Sequence, residues 1–140
     1  MFRLRIKRVG ILLPLLALWG CGAGESLGVA KAGVARVHQQ MNAEQFADIY
    51  AQAAPPFRNA TASQDFLDFM SAIHRKLGKV QDATQTSFFV NYTTSGLQVR
   101  VNYKTKFESG EAQEEFLWVV SGKQAALLGY HINSTALIIK

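Results

Sequence analysis

The hydrophobic period of this chain changes at Gly78, and that change restricts it to one class of fold. Before Gly78 the apolar residues recur at helical spacing; after it they alternate. Phe66, Phe69, Met70, Ile73 and Leu77 form a broad helical stripe that begins near Thr61 or Ser63. Asp65 and Asp68 lie in its first turns and His74, Arg75 and Lys76 in its last, the order that suits the helix dipole. Gly78 stands where a helix ends on a C′ glycine. Two helices are expected upstream. Ala30, Val34, Val37 and Met41 share one face of the first. Asn42 with Gln45 reads as a capping box that opens the second, whose apolar face is Phe46, Ile49, Tyr50 and Ala53 and which Pro55-Pro56 stops.

The alternating half divides into four strands at its turn residues. Phe88, Val90 and Tyr92 alternate with Phe89 and Asn91, ending at Thr93–Gly96. Leu97, Val99, Val101, Tyr103 and Phe107 then face one way, while Gln98, Arg100, Asn102, Lys104 and Lys106 face the other. Past Glu108–Glu111, the residues Phe116, Trp118 and Val120 oppose Glu115, Leu117 and Val119; past Ser121–Lys123, a fourth strand runs from Ala126 to Ile132. Folding the second hairpin about Ser109-Gly110 pairs Tyr103 with Phe116, Val101 with Trp118, Val99 with Val120 and Lys104 with Glu115. Trp118 is then expected in the core, against Val101 and the third helix. A three-residue loop of Gly122, Lys123 and Gln124 turns Leu128, Tyr130 and Ile132 inward and Leu127 outward. The expected class is α+β: two to three N-terminal helices packed on one face of a curved four-stranded antiparallel sheet.

The first twenty residues read differently. Arg3, Arg5, Lys7 and Arg8 precede an apolar run, Val9–Leu18, that is too short to span a bilayer but matches a secretory leader. Those four residues account for most of the net charge of +5. The remainder of the 140-residue chain carries 11 basic against 10 acidic residues, so no nucleic-acid partner is expected. Cys21 is the only cysteine, which rules out an internal disulfide.

Leu18-Trp19-Gly20-Cys21 resembles the lipobox of bacterial lipoproteins. The resemblance implies a signal peptide over 1–20, lipid attachment by palmitate-type acylation at Cys21, a tether over 21–28 and a single domain over 29–140. It places the protein in the cell envelope, anchored to the membrane through its N-terminal lipid. In a two-membrane cell, Gly22 after the cysteine points to the outer membrane, facing the periplasm. The domain resembles the cystatin-like cone of the nuclear-transport-factor and ketosteroid-isomerase superfamily, and more closely its small uncharacterised secreted or lipid-anchored bacterial members. The resemblance rests on Pro56-Phe57-Arg58, Lys76-Leu77-Gly78, Tyr103-Lys104-Thr105-Lys106-Phe107, Glu114-Glu115-Phe116 and Leu128-Gly129-Tyr130-His131-Ile132-Asn133-Ser134.

No residue pattern marks a catalytic site, a metal site or a cofactor. His38, His74 and His131 have no ligand spacing with each other or with Cys or Asp, and the first two are expected on helix surfaces. Tyr50, Tyr92, Tyr103 and Tyr130 fall on expected core faces, but no aspartate faces inward from a strand to act as the base of isomerase-type chemistry. Two candidate surfaces remain. One is a polar cluster of Lys104, Glu115 and His131; the other is an outward apolar group of Phe89, Leu117, Val119 and Leu127 that could bind a second copy in a weak homodimer or an unidentified protein partner. The expected role is a non-enzymatic binding or accessory module; the alternative is a small-ligand-binding protein or envelope enzyme that uses the cone's pocket.

Overall fold

A computed structural model describes residues 22–139; the expected leader and Cys21 lie outside the described residues. Helices α1 (Ala23–Asn42), α2 (Phe46–Ala51), α3 (Pro55–Ala60) and α4 (Ser63–Leu77) precede strands β1 (Val80–Thr93), β2 (Gly96–Phe107), β3 (Gly110–Ser121) and β4 (Gln124–Asn133), and a last turn of helix, α5 (Thr135–Ile138), closes the chain. The strands form a curved, open antiparallel meander in sequence order, with the helices packed on it, so the α+β class expected from the change of period holds. This arrangement is compatible with a cystatin-like fold.

The helices depart from expectation at their ends. The expected tether is helical from Ala23, because the inward stripe runs one turn further back: Ser26 is buried four residues before Ala30. Packing outweighs the cost of Gly28, about 1 kcal/mol in a helix interior. Asn42 does not cap α2. It ends α1 and grips the start of β1, its amide donating to the Val80 carbonyl (3.1 Å) and accepting from the Val80 amide (2.8 Å). Pro55 and Pro56 open α3 as well as ending the previous segment, since the first turn of a helix needs no amide donors.

The β2–β3 register differs from the expected one by two residues. Tyr103 pairs with Glu114, Val101 with Phe116, Val99 with Trp118 and Lys104 with Gln113, because the turn is centred on Glu108-Ser109 instead of Ser109-Gly110. Moving a turn by one residue moves the register by two, so every side chain keeps its face. The turn is fixed from outside. The Glu108 amide donates to Lys79 O (3.0 Å), the Ser109 amide to Leu77 O (2.9 Å), and the Glu108 carboxylate accepts from the Lys79 amide (2.7 Å).

Leu127 also departs from its expected outward position. The last hairpin closes on two residues, Gly122-Lys123, and a bulge opposite Leu117/Trp118 absorbs Leu128. Leu127 therefore points inward before the bulge and is a core residue, while Tyr130 and Ile132 resume the inward face after it. Trp118 is fully buried, as expected, but its neighbours are Val99 and Leu127 across the sheet, Phe116 in a stacked pair and α1 above. A methyl group on Gly33 would stand 3.0 Å from the Trp118 ring, so glycine is what lets α1 lie this close.

Candidate functional site

The core face of the sheet has one polar end. β2 presents Thr105 inward between Tyr103 and Phe107, and β3 presents Glu114 inward between Ala112 and Phe116. Glu114 is 1 % exposed and Thr105 fully buried. Three donors converge on the carboxylate. Thr105 Oγ1 lies 2.5 Å and His38 Nε2 2.8 Å from Oε2, and the Tyr130 hydroxyl lies 2.6 Å from Oε1. Facing a carboxylate that only accepts, His38 Nε2 is the donor in the tautomer that carries its proton there. His38 comes from α1 and is buried, contrary to the surface position expected of it. Its ring meets Tyr103 and Phe116 edge-on. Burial, then the Glu114 charge and its hydrogen bond, hold the Tyr130 hydroxyl well above its usual range; burial alone raises Tyr103.

Two clefts flank this cluster. Between α1 and β1, a cleft of about 260 Å³ is lined by His38, Tyr103, Lys31, Gln85, Ala83, Val34 and Ala35. On the other side, Tyr130 lines a smaller one of about 170 Å³ with Asp65, Thr61 and the rings of Phe57, Phe66 and Phe69. The centre of the sheet is filled by Trp118, Phe116, Met70, Ile73 and Phe107, so both clefts are peripheral to the packed core.

The residues singled out in the sequence lie elsewhere, on the outward face. His131 stands directly across from Glu115, as expected, but Lys104 does not join them. Lys104 pairs with Glu111 (3.2 Å) and Glu115 with Arg100 (3.6 Å), both exposed and worth little individually. Phe89 and Leu117 flank Arg100 in one cross-strand row, and Val119 lies in the next; Leu127 is absent from this group because it is in the core. Phe89 is 63 % exposed. On the opposite face of the same strand Phe88 is half-exposed and Tyr92, expected in the core, is 71 % exposed, because β1 runs past the helices.

The two outer strands are treated differently. On β4, Leu127 O accepts from the Ala54 amide (2.8 Å) and Ala125 O from the Arg36 guanidinium (3.1 Å), so helical segments cover that edge. On β1 the Asn42 grip lies at Val80, and Thr84–Thr93 is a ten-residue run without a charge or a proline. Natural edge strands usually carry such residues against unwanted pairing.

The buried cluster had a signal in the sequence. Thr105 and Glu114 fall at inward parity in otherwise apolar rows, and His38 follows Val37 on the buried side of α1. Among the described residues no helix is long and apolar enough to cross a membrane, and no three His, Cys, Asp or Glu side chains group to hold a metal. No family model and no curated protein matches the chain.

Proposed function

We propose that the protein is a non-enzymatic accessory module of the cell envelope, lipid-anchored at Cys21, that docks a protein strand along β1. The observation that carries the docking half is the bare, uncharged run Thr84–Thr93 with Phe88, Phe89 and Tyr92 exposed on it. An exposed edge of this kind gives affinity through main-chain hydrogen bonds and specificity through alternate side chains. The anchoring half rests on the lipobox-like string before the sole cysteine. The outer-membrane location and the membership of the cystatin-like superfamily belong to the same reading.

Two measurements test it on the full chain in cells. Radioactive palmitate should label the wild type and not Cys21→Ala; equal labelling removes the anchor. A photo-crosslinking amino acid in place of Tyr92 should give one discrete adduct, and the same probe in place of Gln113, at the polar end of the sheet, should not. An adduct of twice the chain's mass identifies a second copy as the docked strand. No adduct at Tyr92, or equal adducts at both positions, overturns strand docking.

A further inference from the structure

The cleft between α1 and β1 is independent of the docking edge and has its own chemistry. Its floor is the His38 and Tyr103 rings, its rim carries Lys31 and Gln85, and Val34 and Ala83 supply aliphatic wall. No carboxylate lines the cleft; Glu114, behind His38, has no exposed side-chain surface and is bonded to three groups. It cannot reach a ligand. Tyr103 is not among those groups, so its hydroxyl is left to the cleft. Burial keeps that hydroxyl protonated beyond its usual range, and it remains a donor. Lys31 is a donor without acceptor capacity. The one full charge that the lining presents to an occupant is therefore positive, beside a Tyr103 hydroxyl and a Gln85 amide that can each donate, and above an apolar wall.

We infer that this cleft binds a small carboxylate with a short aliphatic body, held by Lys31 and the Tyr103 hydroxyl, with Val34 and Ala83 against the chain. At about 260 Å³ it lies below the usual range for drug-sized ligands, which sets the size class. His38 is a positioning residue: the 2.8 Å contact to Glu114 fixes the ring that forms the floor. The buried cluster thus has a use beyond stability, since a buried hydrogen-bonded polar group stabilises little compared with apolar residues of the same shape.

Butyrate, butyramide and butylammonium are the probes, titrated into the full chain in detergent and followed by nuclear magnetic resonance at Tyr103, His38 and Ala83. Butyrate should give saturable shifts at all three, with a Kd of about the millimolar order expected of a fragment. Lys31→Gln, at an exposed position, should weaken butyrate about ten-fold or more. Tyr103→Phe should weaken it less, and Lys123→Gln, in the β3–β4 turn, should leave it unchanged. Three outcomes overturn the inference: no saturable shift with butyrate, butyramide or butylammonium binding as tightly as butyrate, or equal losses in Lys31→Gln and Lys123→Gln. Because the Tyr92 crosslink does not involve these residues, failure here leaves the docking proposal standing, and the converse.

Discussion

Glu114 is 1 % exposed while Phe89 and Tyr92 stand 63 % and 71 % exposed, so two ends of one sheet reverse the ordinary partition of polar and apolar groups. The reversals differ in how they are compensated. At the Glu114 end every cost is answered locally: Thr105, His38 and Tyr130 donate to the carboxylate, and α1 closes over it. At the β1 end nothing among the described residues covers the rings. A compensated reversal is built into the fold and should fail by unfolding. An uncompensated one contributes little to the fold and should fail without unfolding. Mutations at the two ends should separate along that line.

The largest effect is expected at Glu114. Glu114→Ala removes the acceptor from three donors and should cost about 3–5 kcal/mol, since each buried donor left unsatisfied costs about 1–3 kcal/mol. Glu114→Gln keeps one acceptor but aims an amide at a donor, and should cost about 1–3 kcal/mol. Urea denaturation of the full chain measures both. A loss below about 1 kcal/mol for Glu114→Ala would mean that the cluster is not closed in solution and that the two ends are less different than their burial indicates.

Next is a pH dependence confined to the buried end. Tyr130 is raised well above 10.0, first by burial and then by Glu114. A raised folded-state value means that the folded protein holds this proton where the unfolded chain releases it. The associated stability is complete below pH 10.0 and is lost as pH rises through the folded-state value. Denaturant midpoints should therefore fall above pH 10, and Tyr130→Phe should fall less steeply. Tyr103, raised by burial alone, leaves a residual slope. Identical slopes in the two proteins would remove Tyr130 from the linkage.

The two ends were also unequally legible in the sequence. The change of period at Gly78 gave the order of helices and strands, and alternation gave the face of most strand residues, because parity survives a two-residue error in register. The turn centre did not follow from local sequence. Lys79 and Leu77 hold Glu108-Ser109 from another part of the chain, and no local rule contains that contact. Leu127 was misplaced for a related reason: one bulge residue, Leu128, inverts the parity of everything on one side of it. The Glu114 cluster was hidden by its polarity. Apolar members are what mark an inward row in a sequence, so Thr105 and Glu114 do not stand out, whereas Glu115, the neighbour that faces water, does. Phe89 was placed correctly because an outward apolar residue needs only parity to be seen. Tyr92 was not, because its parity is inward and only the extent of the helices shows that nothing covers it.

The smallest effect on stability, and the sharpest on association, is expected on β1. Phe88, Phe89 and Tyr92 are half or more exposed. Rings of this kind bury about 150–250 Å² each when covered. The three together offer on the order of 300–400 Å² per protomer, about half of the ~800 Å² of a stable partner surface. A second copy pairing antiparallel about Phe89 would set Phe89 against its own mate and Phe88 against Val90, and from Gln85 to Thr93 would bring no two charges together. Such a dimer should be weak in free solution and stronger where a lipid anchor confines both copies to a surface. Phe89→Lys sets two like charges at the two-fold axis and should abolish association, with monomer stability changed by less than about 0.5 kcal/mol. Val119→Lys, two strands away on the same face, should leave strand pairing intact but weaken association if the face as well as the edge is buried. Sedimentation across a wide concentration range decides between them. Loss with Phe89→Lys alone assigns the contact to the edge, and loss with Val119→Lys alone moves it to the outward face. A wild type that stays monomeric at every concentration rules out a second copy as the docked strand.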